Sequence, residues 1–317
     1  MSIKTIYVIS PPNYATGGTL LLHQAAYYFN QLGITAKMFY GKKIKSDPVH
    51  EQFKKFGIDY DTKIPNQKDV MVIVPEVRID HLRNYRKVHK VIWWLSVDNF
   101  HIEIDSLKPK RRIYRNLMGY YNVFNDHYTH LVQSKYAETF LKEKNVKSRF
   151  LSDYLDDVYT SMEVDFSKPR TSQILYNPKK GIETTKLLME KFPNYNWVPL
   201  ENLSPEQMRN LMLESKVYID FGNHPGKDRI PREAAICGCC VITNKNGSAA
   251  FQEDVPIDPQ YKFDEETLDF NRFEAVVHSI FEDYSSKQSD FSNYREKIKN
   301  EQSVFVEEMK SFIDSIK

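Results

Sequence analysis

Short apolar runs alternate along this chain with stretches whose apolar residues recur every three or four positions. Thr5–Ser10 reads TIYVIS, a continuous β-rich run. After the loop PPNYATGG, Leu22, Ala25, Ala26, Phe29 and Leu32 share one face of a helix predicted over Thr19–Leu32, which Gly33 ends. Further strands are expected in ITAKMFY, DVMVIVPE, KVIWWLS and THLVQS, with Ser134 capping a helix that begins at Lys135. Trp93 and Trp94 are adjacent in one of these strands, so they point to opposite faces and both are expected in the core. The stretch Tyr154–Thr171 is polar, lacks a period and contains Pro169, which is the composition of a linker. The alternation then restarts with the strand SQILY, the loop NPKKG, a helix over Ile182–Lys191 and the strand YNWVPL. Ser204 caps the next helix with Pro205 at its first position; the strand KVYIDF, a helix over Pro231–Cys237 and the strand CCVIT follow. Helices over Glu265–Tyr284 and Ser292–Ile316 close the chain. Strands alternating with helices predict a parallel sheet in each half.

A chain of 317 residues is too long for one typical domain and long enough for two. The expected division is a first domain over residues 1–153, a linker over 154–168 and a second domain over 169–290. The final helix, residues 291–317, either stays with the second domain or returns to the first. With 41% hydrophobic and 27% charged residues the chain is neither disordered nor fibrous, and a net charge of +2 is too small to point to nucleic acid as a partner. No apolar run approaches membrane-spanning length and the amino terminus lacks a cleavable leader pattern, so a cytoplasmic location is expected. Cys237, Cys239 and Cys240 lie together in CGCC; they form no disulfide framework and read as apolar strand residues. The basic stretch Lys108–Phe124, KPKRRIYRNLMGYYNVF, has two readings: a solvated helix face that packs its tyrosines inward, or peripheral contact with an anionic membrane surface at the inner face of the membrane.

In open parallel sheets, ligands bind outside the carboxyl ends of the strands, where helix amino termini present unpaired N–H groups and partial positive charge. HPGKDRIPREAAICGCCVI, His224–Ile242, puts Lys227 and Arg229 at such an edge, and Pro231 sets the first helical turn without wasting a donor. NPKKG places Lys179 and Lys180 at the same kind of junction one unit earlier. Two basic loops at neighbouring strand ends suit a diphosphate, although any one of these cations on its own reads as solvated surface charge. In the first half, VIWWLSVDNFH ends a strand with Asp98, Asn99 and His101. Asp98 or His101 would position or deprotonate a bound hydroxyl, the alternative being a turn and a helix cap. Glu76, just after VIVP, is a further strand-end candidate, with burial or capping as its alternative. DYLDD, Asp153–Asp157, reads as a solvated turn, and no Asp-x-Asp pair stands at a strand end, so no metal site and no cofactor are expected.

Taken in order, these pieces resemble the GT-B class of glycosyltransferases, most closely the family 4 group of retaining enzymes that use nucleotide sugars. The strand followed by a glycine pair is matched by Gly17 and Gly18 in ATGGTLLLHQAAYYFNQLG, and the strand leading to a serine and a helix by THLVQSKYAETFLKE. The second-domain strand with its lysine–glycine loop is matched by ILYNPKKGIETTKLL, and the donor-binding helix by IPREAAICGCCVI. The resemblance runs from Ile6 to about Ile257. It implies an α/β fold of two doubly wound Rossmann-like domains facing across a cleft, the first on the acceptor side and the second binding the donor. It implies metal-independent transfer of a sugar from a nucleotide sugar to a glycan or lipid-linked acceptor, with retention, in surface polysaccharide or glycoconjugate synthesis. Lys180 matches the lysine that grips the donor diphosphate, Glu233 the glutamate that binds the ribose, and Gly18 the position where backbone approaches the donor phosphate. Two positions depart from the pattern. Pro225 stands where the group carries a glutamate eight residues before Glu233, so a contact to the donor sugar is expected from His224, Lys227 or Asp228. Asn177 lies near the place of the usual arginine in the first basic loop, whose charge Arg229 or Arg232 would supply. Pro225 also keeps open a catalytically silent partner subunit that binds a nucleotide or glycan; a nucleotide-sugar epimerase on the same scaffold is a weaker alternative.

Overall fold

The computed structural model describes residues 3–44 and 46–316; Met1, Ser2, Lys45 and Lys317 lie outside the described residues. The chain divides into two compact units, Met1–Asp153 with Ser303–Lys317, and Tyr154–Gln302.

The first unit contains the strands β1 (Thr5–Ile9), β2 (Thr35–Phe39), β3 (Val70–Pro75), β4 (His89–Trp94), β5 (Thr129–Val132) and β6 (Ser148–Phe150). Its helices are α1 (Gly17–Gln31), α2 (Val97–Asp105), α3 (Pro109–Leu117) and α4 (Lys135–Glu143). The strand order is β2-β1-β3-β4-β5-β6 and every pairing is parallel. All six residues of β3 are buried, as the continuous apolar run VMVIVP requires of a parallel strand covered on both faces. Trp93 and Trp94 are both fully buried and use their N–H groups on different partners, the Leu151 carbonyl at 2.9 Å and His130 Nδ1 at 3.0 Å. Thr16 and Thr19 close a reciprocal capping box at the start of α1.

The second unit contains α5 (Asp157–Thr160), β7 (Thr171–Tyr176), α6 (Ile182–Lys191), β8 (Asn196–Pro199), α7 (Pro205–Glu214), β9 (Ser215–Asp220), α8 (Arg229–Ile236), β10 (Cys240–Asn244), β11 (Lys262–Phe263), α9 (Phe270–Glu282) and α10 (Tyr284–Lys287). The order β11-β10-β9-β7-β8 is again all parallel. In chain order it repeats the first sheet: the first strand pairs with the second on one side and with the third on the other. The direction of winding therefore reverses between β1 and β3 and between β7 and β9, the crevice where doubly wound sheets bind ligands. Cys237, Cys239 and Cys240 are buried in this unit's core as small apolar residues.

Two expectations about residues 154–168 are corrected. Leu155 and Tyr159 are buried in the core of the second unit, and α5 lies within the segment, so it is part of that unit rather than a linker. Nor is DYLDD a solvated turn: Asp153 and Leu155 are buried at 1% and 0% exposure. Apolar contacts as isolated as Leu155 and Tyr159 leave no period to read. The last helix, α11 (Ser292–Ile316), is counted with the second unit up to Gln302 and with the first from Ser303.

Candidate functional site

At the reversal between β7 and β9, two loops interlock. The loop after β7 turns on Asn177, whose Oδ1 accepts the Lys179 N–H at 3.0 Å, and Gly181 enters α6 in the left-handed region at φ 59°. A Cβ on Gly181 would lie 2.3 Å from the Phe221 carbonyl carbon and oxygen, and one on Gly222 would lie 2.6 Å from Lys180 Cβ. Only glycine on both sides lets these backbones approach so closely. The contact delivers Lys180 Nζ to Asp228 Oδ2 at 2.5 Å, at the entry to α8. Asp228 is the N-cap residue of α8, yet its carboxylate makes no capping hydrogen bond and turns instead to Lys180 and His224. The amino terminus of α8 is thus left without a side-chain cap, with an ammonium group held beside it.

His224 is fully buried beneath this pair. Nε2 donates to the Asp220 carbonyl at 3.3 Å, and Nδ1 lies 3.0 Å from Asp228 Oδ2, an ion-pair distance. Burial opposes charge on the ring, but the Asp228 and Asp220 carboxylates outweigh it and raise the imidazole pKa above its ordinary value. Burial likewise opposes ionisation of Asp228, but His224 and Lys180 prevail and lower its pKa. Asp220 fixes the same loop from below, accepting the Gly222 N–H at 3.1 Å and the Tyr218 hydroxyl at 2.9 Å. Among the described residues, Asp220, His224 and Asp228 offer ligand atoms close enough together to hold a metal ion. Lys180 already lies against the Asp228 oxygen, a fixed cation at the corner where an ion would sit.

On the next turn of α8, Arg229 Nε lies 3.6 Å from Glu233 Oε1, and its guanidinium donates to the Tyr154 carbonyl at 3.2 Å and approaches Asp156 at 4.0 Å. Burial raises the Glu233 pKa, against the pull of Arg229 and Arg232.

Similarity by sequence is absent at the family level: no protein-family model and no curated protein matches this chain. Solved structures match it over nearly its whole length. The sucrose-phosphate synthase of Thermosynechococcus elongatus aligns at 14% identity over 99% of both chains with a TM-score of 0.65. The Anabaena protein HepE, solved in complex with UDP and glucose, aligns at 12% identity over 99% of this chain and 100% of its own, TM-score 0.65. A glycosyltransferase from Rickettsia africae aligns at 12% identity over 100% and 99%, TM-score 0.65. The fold is GT-B.

Within that fold the residues singled out from sequence fall into three groups. Lys180, Asp228, Arg229 and Glu233 gather at the entry and first turns of α8. A second group lies at the same place, most of its side chains engaged in contacts within the protein. Arg232 is fully buried: Nε and Nη2 donate to the Asp228 and Lys227 carbonyls at 3.0 Å, and Nη1 to Glu301 Oε2 at 2.7 Å. Lys227 Nζ lies 2.8 Å from the other Glu301 oxygen. His224 and Asn177 shape their loops, as described, and Lys179 is exposed beside the site. These side chains hold the loop from inside because a loop with this many carbonyls turned inward needs buried donors. The third group belongs to the first unit. Gly17 and Gly18 form the first turn of α1, and a Cβ on Gly18 would make only ordinary contact with Leu95 at 3.6 Å, so the protein itself does not demand glycine there. Asp98, in the first turn of α2, accepts the Tyr136 hydroxyl at 2.7 Å. His101 is exposed and borders a pocket of about 380 Å³ with Phe100, Phe140, Arg112 and Lys144. Glu76 at the end of β3 is buried, accepts the Leu95 N–H at 2.9 Å, and has its pKa pushed up to about 7 by burial.

Residues that pattern reading missed brace the site. Asn244 donates to the Gly222 carbonyl at 2.8 Å and to Glu265 at 2.9 Å, and Thr184 donates to the other Glu265 oxygen at 2.8 Å. The polar TNKN directly after the apolar CCVI run was the only available signal.

Proposed function

We propose that this chain is a glycosyltransferase that takes a sugar from a nucleotide-sugar donor bound in the second unit, and that it is of the retaining, family 4 type. The observation that carries the reading is the glycine-on-glycine contact that sets Lys180 beside the uncapped amino terminus of α8 at the sheet's reversal point. HepE, of the same fold, was solved with UDP and with UDP-glucose, which supports a nucleotide diphosphate as the ligand class. The diphosphate would sit against the α8 amides with Lys180 as its counter-ion, Asp228 remaining with His224. Arg229 would add a second cation, and Glu233 would accept the ribose hydroxyls.

In the reaction, negative charge develops on the diphosphate oxygen as its bond to the anomeric carbon lengthens. Lys180 and the α8 amides, fixed by the interlocked loops, stabilise that charge without reorganising, each such donor typically contributing about 3–4 kcal/mol. With this cation built in, transfer is expected to survive a chelator. The acceptor, a glycan or glycolipid in surface polysaccharide or glycoconjugate synthesis, would be served by the first unit, with Asp98 held in place by Tyr136 to receive the acceptor proton. The location that goes with such a role is cytoplasmic.

Pro225 supports a second reading, a nucleotide-binding subunit without turnover, because proline at that position provides neither a carboxylate nor an N–H for the donor sugar. One experiment separates the two. Nucleoside diphosphate release is followed across a panel of nucleotide sugars with candidate acceptors, alongside UDP-induced thermal shifts. A transferase releases diphosphate, and Lys180→Ala lowers kcat by about a hundredfold or more. Clear UDP binding without turnover on any donor supports the silent subunit, and no UDP binding at all sinks both.

A further inference from the structure

Helix α3 is inside out. A surface helix normally turns its apolar stripe to the core and its charges to water. In α3 the side chain most sheltered from water is Arg115, only 12% exposed and lying 3.8 Å from Asp80 and 3.9 Å from Glu103. Its guanidinium also lies 5.4 Å from the centre of the Tyr120 ring. Leu117 is 82% exposed, Ile113 59%, Tyr114 56% and Met118 49%. Ile113 with Leu117, and Tyr114 with Met118, are each four residues apart, so the four side chains form one outward apolar stripe. No residue of α3 is buried.

The helix is held in this orientation. Besides the Arg115 contacts, Arg83 donates to the Met118 carbonyl at 2.8 Å and Arg112 pairs with Asp105 at 3.2 Å. The same contacts neutralise Asp80, Glu103 and Asp105, the acidic groups beside the helix. Lys108, Lys110 and Arg111 are exposed and have no acidic partner among the described residues. Lys110 precedes Ile113 and Tyr114 by one turn, so it lies along the apolar stripe itself. Leucine at this exposure is costly in water, and cations interleaved with it do not suit the apolar face of a protein partner, which would have to bury them.

We propose that α3 is a docking surface for an anionic lipid bilayer, with the stripe from Ile113 to Met118 entering the headgroup boundary and Lys108, Lys110 and Arg111 pairing with lipid phosphates. Its apolar stripe and its unpaired cations match the two layers of that boundary, which is apolar below and anionic above. The inference goes beyond the donor-site reading and does not depend on it.

Vesicle co-sedimentation of the full chain tests it, with phosphatidylcholine alone and with phosphatidylglycerol added. The wild type should bind anionic vesicles about tenfold or more tightly than neutral ones, and rising salt should weaken that binding. Leu117→Glu with Ile113→Glu, and separately Lys110→Glu with Arg111→Glu, should each cost about tenfold. Leu117→Trp should add a fluorescence component that shifts to the blue on anionic vesicles only. Circular dichroism and the thermal unfolding midpoint, measured on the same samples without nucleotide, report whether each variant folds, independently of the vesicle result and of the donor site. Three outcomes overturn the proposal: no preference of the wild type for anionic vesicles, variants that bind as well as wild type, or a dimer that Leu117→Glu splits while vesicle binding is absent.

Discussion

Glu76 shows how much a single residue's surroundings decide. Its carboxyl is buried at the end of β3, and burial pushes its pKa up to about 7 from an ordinary 4.5, against hydrogen bonds from the Leu95 and Ser96 backbone that favour ionisation. Because the folded value lies above the unfolded one, its contribution to stability is fully present below about pH 4.5 and is lost as pH rises through about 7. Glu76→Gln keeps an acceptor for the Leu95 N–H and removes the ionisation. Denaturant unfolding should therefore show the variant gaining on the wild type across that window, by on the order of 3 kcal/mol at neutral pH and above. A parallel pH dependence in both proteins would refute this account. The sequence showed Glu76 at a strand end but could not show its burial, because burial there depends on β4 and the loop after it closing over the same point. Gly181 and Gly222 are similar. Each was visible as a glycine in a loop, while the 2.3 Å and 2.6 Å approaches that make them necessary exist only once the two loops meet.

Among the elements, the central strands were legible because parallel strands buried on both faces leave continuous apolar runs such as VMVIVP and VIWW. The edge strands β6 and β11, of three and two residues, are too short to leave such a signal. Helix α8 was legible as a helix, but its anchoring was not. Arg232 and Lys227 converge on Glu301, 69 residues from Arg232 along the chain, and no local pattern marks that partnership. Glu301, at 3% exposure, pairs with the buried Arg232 and the half-buried Lys227, whose side chains also define the loop leading into α8. Glu301→Leu should remove the carboxylate that Lys227 and Arg232 share and cost about 3–5 kcal/mol. Arg232→Met added to it should cost much less than the two single changes combined, since the two changes remove the two ends of one ion pair. A double-mutant cycle by urea unfolding measures this. Strict additivity would mean that the three groups do not act as one cluster.

At the scale of the whole molecule, the two sheets share one winding order, and that repetition is what the alternation of strands and helices announced twice over. The role of the chain's end is a matter of tertiary packing instead. Phe305, Met309, Phe312 and Ile313 are all buried, and the rings of Phe305 and Phe312 lie 5.7 Å from Tyr28 and 6.3 Å from Phe29 on α1. Glu308 accepts both the N–H and the hydroxyl of Ser152 at 2.7 Å. Fully burying one such side chain contributes roughly 1.5–3 kcal/mol, so the four together reach roughly 6–12 kcal/mol as an upper estimate. That is comparable to the whole stability of a typical domain. Truncation after Gln302 should therefore unfold or loosen the first unit although the cut lies some 270 residues beyond α1 in sequence. Hydrogen exchange read on α1 and β1 should lose most of its protection, while the amides of β7, β9 and α8 stay protected. Unchanged protection in α1 would show that the first unit does not need the end of α11. Loss of protection in α8 as well would show instead that the two units unfold as one.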